Sequence, residues 1–440
     1  MSSETQPQEQ LESTRVEVNA LVAGTPLTAP IYDDGGVLLL AEGSTITPTF
    51  KQRLTARNIT GVLLGLADAA VMRLDQRDDI QVPDSLFDES HMERLDSIIE
   101  DGKLFAANTG EAIRDKVVLQ GCKAYDPETR AEIIELHEEA SKELDEMFQL
   151  ALHGKEIDSR QLGTYVGAYT SALSHDPDSV MAVAAQLSSD AGLADHCLRS
   201  TVLAMALGIE MGLDDANLRD LGLCGLLHDW GMIRVPESIR YAARPLTPVE
   251  LMQIQKHPTY TLEILDRIPG VPKVVALAAY QVHERPNGKG YPRGRHRAQI
   301  HGFARILSVA DTYTALTTNR PQRPALMPYY AMECLIRQGQ TGDIDSDVVR
   351  ALLHVLSLFP IGSFVLLDDG RVAVVMRRNG TDYTAPIVRL VSNTEGQPVD
   401  PNDDSSIIDL AEHGLRVVQA LASPNSDQIA LNDDILRHHQ

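Results

Sequence analysis

His228 and Asp229 stand side by side behind an apolar run, in Leu226-Leu227-His228-Asp229-Trp230-Gly231. An imidazole beside a carboxylate can ligate a metal ion. Neighbours on a helix point about 100° apart, so both reach one ion only beside a helix end, and a single such pair is more often a cap or a core contact. Spacing changes that reading. His196 lies 32 residues before His228, His257 lies 29 after it, His283 a further 26 on, and Asp311 a further 28. Each interval is about one helix plus one turn. In an antiparallel bundle such intervals bring successive helices' residues to one interior level, where bundle metal sites are built. Imidazole and carboxylate donors suit Fe, Mn, Zn or Ni rather than Ca, and Asp229 could bridge two ions. The reaction served by such a centre is phosphodiester hydrolysis, in which ions acidify a water and neutralise the phosphate. The other ten histidines, such as His91, His153 and His438, lack this spacing and read as structural or exposed.

A second chemical signal follows at once, in His283-Glu284-Arg285-Pro286-Asn287-Gly288-Lys289-Gly290-Tyr291-Pro292. Glycines framing a lysine, then Tyr-Pro, make a tight loop where backbone can approach a ligand. Between residues 283 and 323 there are eight Lys or Arg against two acids, inside a chain of net charge −23. An anion-binding rim accounts for that local excess; a solvated charged loop is the plainer alternative.

These residues must be positioned by helices. At 440 residues the chain exceeds one core. Its 43% hydrophobic and 23% charged content is that of an ordinary globular protein, and a single Trp suits helices packed by Leu, Ala, Val and Ile. The net negative charge excludes a nucleic-acid polymer as main partner, since such binding needs Lys and Arg to neutralise phosphates. Four cysteines without a CxxC pair read as reduced thiols. With a polar N-terminus and no run of about 18 apolar residues, the expectation is a cytoplasmic chain without a membrane span.

Along the chain, residues 1–15 read as a disordered tail and 16–75 as a small β-rich module. Within that module Asp33-Asp34-Gly35-Gly36 turns a hairpin, Thr47-Pro48 opens a short helix, and Ile59 to Leu64 is strand-like. Residues 76–155 read as linker and connecting helix. Asp126-Pro127 starts that helix, and Ile133, Leu136, Ala140, Leu144, Met147 and Ala151 form one apolar stripe. This stripe is either core packing or a connecting or dimerising face. Residues 156–358 are helical throughout, 359–395 hold three strand-like segments turned at Asp368-Asp369-Gly370 and Asn379-Gly380, and 396–440 read as acidic loop and tail. The fold class is mainly α: a helical bundle flanked by a small N-terminal α+β module and a small C-terminal β segment.

His228-Asp229, the Lys289-Gly290-Tyr291-Pro292 loop and the run Arg305-Ile-Leu-Ser-Val-Ala-Asp311-Thr-Tyr-Thr-Ala-Leu-Thr resemble the HD-GYP phosphodiesterases. Val235-Pro236, Leu246-Thr247-Pro248-Val249-Glu250 and His257-Pro258 fall in that family's order too. Members of the family hydrolyse the bacterial second messenger cyclic di-GMP. The resemblance covers about residues 160–330. It implies an HD-type bundle with His196, His228, Asp229 and Asp311 around a first metal and Asp229, His257 and His283 around a second, the ions being divalent Fe or Mn first, then Zn or Ni. By the same resemblance Asp229 and His228 serve catalysis, Arg320 and Arg323 contact phosphates, and Arg305, Gly290 and Tyr291 complete the substrate site. It implies cyclic di-GMP as ligand, with pGpG or GMP as product. As protein partners it implies a diguanylate cyclase or other signalling protein, and a second copy of the chain.

The chain departs from the family at named places. Val282 precedes His283 where a second histidine is usual, Met232 stands for Lys, Gly192 for Glu, and Thr314 and Asn287 for Asp. The first metal site is thus expected intact, the second weakened, a third absent and phosphate stabilisation reduced. Three readings remain at this stage: a working or slow phosphodiesterase, a silent domain that binds the nucleotide or a protein, and an HD-superfamily phosphohydrolase for another nucleotide.

Overall fold

The structure, a computed structural model, describes residues 13–18, 21, 27–65, 68, 108–187, 192–321, 323–380, 382–424 and 426–430. The chain divides into two compact units, residues 1–86 with 246–253, and residues 87–245 with 254–440. The expected tail over 1–12, most of the linker before 108, and His91 and His438 lie outside the described residues.

The first unit is a four-stranded sheet in the order β1-β4-β2-β3, formed by β1 (Ser13–Glu17), β2 (Ile31–Tyr32), β3 (Leu38–Leu40) and β4 (Gly61–Gly65). Its first strand starts three residues before the module boundary read from sequence. The expected hairpin is present: Asp33 Oδ1 accepts from the amides of Gly35 (2.9 Å) and Val37 (2.8 Å), an Asx turn that reverses the chain between β2 and β3. Thr47 caps helix α1 (Pro48–Ala56) by accepting from the Phe50 amide at 3.1 Å. The inner residues Val16, Ile31, Ile46, Leu54, Val62 and Leu64 make the core of this unit.

In chain order the remaining helices are α2 (Pro127–Leu152), α3 (Arg160–His175), α4 (Pro177–Gln186), α5 (Leu193–Glu210), α6 (Asp215–Leu227), α7 (Glu237–Arg240), α8 (Pro248–Gln255), α9 (His257–Leu265), α10 (Lys273–Gln281), α11 (Gly302–Leu316), α12 (Pro328–Thr341) and α13 (Ser346–Leu356). Their starts follow capping chemistry. Asp126, Asp176, Asp214 and Asp345 each accept an amide in the first turn of the helix that follows. Helix α5 is the axis of the second unit, buried on nearly every side and packed by α6, α11, α2 and α13. The α2 stripe is core packing: Ile133, Ala140, Leu144 and Met147 are buried in the same cluster as α5. The helical core therefore begins near residue 127, earlier than the boundary at 156. No helix among the described residues is long and apolar enough to cross a membrane, and all four cysteines are free.

The C-terminal strands form a five-stranded antiparallel sheet, β8-β7-β6-β5-β9, from β5 (Phe364–Leu367), β6 (Val372–Arg377), β7 (Ile387–Leu390), β8 (Ile407–Asp409) and β9 (Val417–Leu421). The first three match the strands read from sequence. The last two lie in the stretch expected to be acidic loop and tail, which is corrected here. Strands of three and five residues between Asp-rich turns carry too few alternations to stand out, and their partners are needed to define them. Arg377 ties this sheet to the bundle. Its side chain is 1% exposed and grips the Asp176 carboxylate twice, at 2.8 and 3.0 Å, while its guanidinium lies 4.6 Å from the Tyr125 ring centroid. Asp176 at the same time caps α4 through the Ser179 amide. Removing one partner of a buried ion pair leaves the other charge without compensation. Arg377→Met is therefore expected to lower unfolding stability by about 3–5 kcal/mol, read as a lower urea midpoint; an unchanged midpoint would show that the sheet is held by its apolar contacts alone.

Candidate metal centre

Five chain segments bring the predicted ligands together. His196 sits in the first turn of α5. His228 follows the last residue of α6, and at Asp229 the backbone leaves the helix (φ −104°, ψ 10°) into a 3-10 turn over Trp230–Arg234. That exit aims two adjacent side chains at one place, which a continuous helix forbids. His257 opens α9, His283 lies two residues beyond α10, and Asp311 lies within α11. Trp230 anchors the exit. It is wholly buried, its indole donates to Leu226 O at 2.7 Å, and its ring meets Phe148 of α2 edge-on at 5.2 Å. The sequence reading saw Trp230 only as part of a motif, and this supporting role of α2 needed the tertiary structure.

The donor atoms fall into two groups sharing one residue. Those of His196, His228, Asp229 and Asp311 lie within 4.8 Å of one another, as do those of Asp229, His257 and His283. His196 Nε2 is 2.9 Å from Asp311 Oδ1 and 3.7 Å from Asp229 Oδ2. Asp229 Oδ1 faces His257 Nε2 at 3.1 Å, His283 Nε2 at 3.4 Å and His228 Nε2 at 3.6 Å. Backbone carbonyls fix two ring orientations: His228 Nδ1 donates to Gly225 O (2.8 Å) and His257 Nδ1 to Ile254 O (2.6 Å). Each leaves its Nε2 turned to the centre, the usual way a ligating imidazole is oriented by its other nitrogen.

Electrostatics reinforce the geometry. Burial alone would push the Asp229 carboxyl up, but the imidazoles of His228 and His257 reverse this and hold it well below the usual range. Asp311 is held low against burial by His196 and His228. Burial also opposes a proton on His228, yet Asp229 and Asp311 raise its pKa to about 9. The carboxylates are thus ionised and demand positive charge. The donor set fits a transition ion: His228 Nε2 is buried without a hydrogen bond, His257 and His283 bring their Nε2 atoms to 2.8 Å of each other, and the mix of imidazole and carboxylate suits such metals. Residues 168–348 match the HD domain family.

The helical unit is thus similar to HD domains over the stretch that holds the candidate ligands.

Among relatives, a cyclic di-GMP phosphodiesterase of Pseudomonas aeruginosa is 29% identical over 269 residues, 61% of this chain and 64% of that protein. A 3'3'-cGAMP-specific phosphodiesterase of Vibrio cholerae is 35% identical over 159 residues, 36% of this chain and 37% of its own length. A cyclic di-GMP phosphodiesterase of Borreliella burgdorferi is 24% identical over 212 residues, 48% of this chain and 55% of that protein. The chain therefore spans less than two thirds of the length of these relatives.

Beside these candidate ligands, Tyr291 stacks flat on His283 (centroids 5.0 Å, planes 10° apart). Burial, then Asp229 and Asp311, push its hydroxyl pKa up, against the opposing pull of Arg285 and Arg320. These two arginines are therefore near enough to act on Tyr291 electrostatically, and Arg285 was not among the predicted substrate contacts. Its sequence signals were its place two residues after His283 and within the basic stretch. Three residues expected as substrate contacts have structural roles within the protein. Arg305 is locked to the buried Asp345 at 2.6 Å, Asp345 being 1% exposed, so the guanidinium fixes the start of α13. Arg323 donates to Ala315 O (2.7 Å) and Leu316 O (3.2 Å), capping the end of α11; burial, then the charge of Arg320, lowers its pKa to about 10. Gly290 is required by the loop itself, because a Cβ there would lie 2.3 Å from the Arg285 amide nitrogen and 2.5 Å from His283 O. Buried Glu284 organises the same loop by accepting from the amides of Arg293 and Arg295, both at 2.7 Å. The departures Val282 and Met232 differ in setting: Val282 is wholly buried in the hydrophobic core, whereas Met232 is half-buried.

Asp229→Ala is expected to reduce bound transition metal to a small fraction of the wild-type content after anaerobic reloading with Fe or Mn. Arg305→Ala should leave the content unchanged. Elemental analysis decides, and wild-type protein that takes up no metal would sink the metal-centre reading.

Proposed function

We propose that this chain is a metal-dependent phosphodiesterase that hydrolyses cyclic di-GMP to pGpG or GMP, using one or two divalent ions, Fe or Mn before Zn or Ni. The observation that carries the reading is Asp229, one buried carboxylate within reach of two separate groups of imidazoles. His196, His228, Asp229 and Asp311 would hold the first ion, and Asp229, His257 and His283 the second. Bound there, such ions acidify a water and neutralise the phosphate. The chain's own cations complete the site: Arg320, exposed, and Arg285, half-buried and donating to Ser308 Oγ at 3.3 Å, grip the phosphates. The Tyr291 ring keeps the His283 imidazole in plane and walls the centre from water.

Cyclic di-GMP is favoured over 3'3'-cGAMP because a cyclic di-GMP phosphodiesterase matches 61% of this chain and a 3'3'-cGAMP-specific one 36%. A second reading has its own observation. Val282 belongs to the core and Met232 brings no charge, so the second ion and the phosphate are less well held than in the resembled family. This favours a nucleotide receptor without turnover.

Chromatography of products from both nucleotides, with added Mn or Fe, separates these. The hydrolase reading expects linear product from wild type and none from Asp229→Ala; nucleotide bound but never cleaved supports the receptor reading, and neither binding nor cleavage sinks both. A finer expectation concerns the arginines. Arg285→Ala and Arg320→Ala should each weaken cyclic di-GMP binding about tenfold or more, since a charge-assisted bond contributes roughly 1.5–3 kcal/mol. Calorimetry on each variant, at unchanged metal content, is the measurement. Equal affinity in both would mean that neither touches the phosphates.

A further inference from the structure

The two donor groups are joined by Asp229, but Asp229 alone does not fix how far apart they stand. That distance depends on how α9, which carries His257, is seated on the turn that carries Asp229. At this junction Thr261 bonds to the backbone of the turn, beside an ion pair between Arg234 of the turn and Glu263 of α9. Thr261 is wholly buried, one helical turn after His257 and on the same face of α9. Its hydroxyl donates to His228 O at 3.0 Å and accepts from the Gly231 amide at 2.9 Å. Those two backbone groups bracket Asp229 on either side. Gly231 makes the approach feasible: a Cβ there would fall 2.0 Å from His257 O and 2.6 Å from the Thr261 nitrogen, so only glycine lets the start of α9 lie against the turn.

We propose that Thr261 is a positioning residue that couples the two metal sites, holding His257 in register with Asp229 so that a second ion can bind beside the first. The inference rests on the two-ion reading of the centre. The first group does not depend on the hydroxyl. His196 and Asp311 come from α5 and α11 and meet each other directly at 2.9 Å, and the His228 ring is oriented by Gly225. The second group does. His257 Nε2 reaches Asp229 Oδ1 at 3.1 Å from an α9 whose hydroxyl bonds to the turn are both made by Thr261. Removing the hydroxyl leaves the buried Gly231 N–H and the buried His228 carbonyl unmatched on the turn that carries Asp229, and the cheapest relief is for α9 to draw away from the turn.

Thr261→Val keeps the shape and deletes the hydroxyl; Thr261→Ser keeps the hydroxyl. Metal-free full-length protein is titrated with Mn(II), ions per chain are counted by equilibrium dialysis, and the spin-coupled signal of a Mn pair is followed by electron paramagnetic resonance. Wild type is expected to bind two Mn ions with a coupled signal. Thr261→Val should retain the first ion at near wild-type affinity, bind the second about 10- to 100-fold more weakly, and lose the coupled signal at matched loading. Thr261→Ser should restore both. The proposal is overturned if Thr261→Val binds two ions like wild type, if it loses both together, or if Thr261→Ser is no better than Thr261→Val. Wild type that takes up fewer than two ions overturns the two-ion reading itself, which distinguishes that failure from a failure of Thr261.

Discussion

A carboxylate taken out of water must find positive charge nearby or give up its own. Asp229 is such a carboxylate, and the architecture around it is the answer to that demand. It is surrounded by imidazoles from α5, α9 and the ends of α6 and α10, with Asp311 doubling the negative charge. Without a metal the deficit is met by protons, which is why His228 titrates near 9. An ion entering the centre takes the place of those protons, so metal affinity and acidity are two views of one balance. The bundle supplies what the balance needs: helix ends whose carbonyls orient the rings, and a buried indole that stops α6 from running straight on.

The surface runs the other way. A chain of net charge −23 concentrates its cations beside the centre, yet most of the arginines there are engaged. Arg305 and Arg297 serve Asp345, and Arg323 closes α11. Only part of the positive excess of the loop is therefore directed at a ligand. This is how a basic stretch can be both a structural frame and a phosphate rim: position along the chain does not distinguish the two, and the partner of each guanidinium does.

That distinction marks the limit of what could be read in advance. The six candidate ligands were legible because residue type and helix-length spacing are properties of the chain itself, and the structure gathers all six. The bundle, two turns of the C-terminal sheet and the hairpin at Asp33 followed from periodicity and turn chemistry. What could not be read depended on contacts distant in sequence. Arg305 was legible only as a cation of the basic stretch, since its partner Asp345 lies 40 residues on. Strands β8 and β9 are too short to declare themselves without the strands they pair with. Thr261 gave no signal at all, since its role lies in two backbone groups some thirty residues away.

The tie between Arg377 and Asp176 has a consequence for where this domain ends. The stretch that matches the HD family closes at residue 348, before the first strand of the sheet. The carboxylate that starts α4 is nonetheless neutralised from β6, by a residue with almost no access to solvent. The unit that is inherited and the unit that folds are therefore not the same length. A fragment cut at the ends of the matched stretch would keep every candidate metal ligand but lose the guanidinium that neutralises the carboxylate at a helix start, so the sheet is part of the domain's own thermodynamic body rather than an appendage to it.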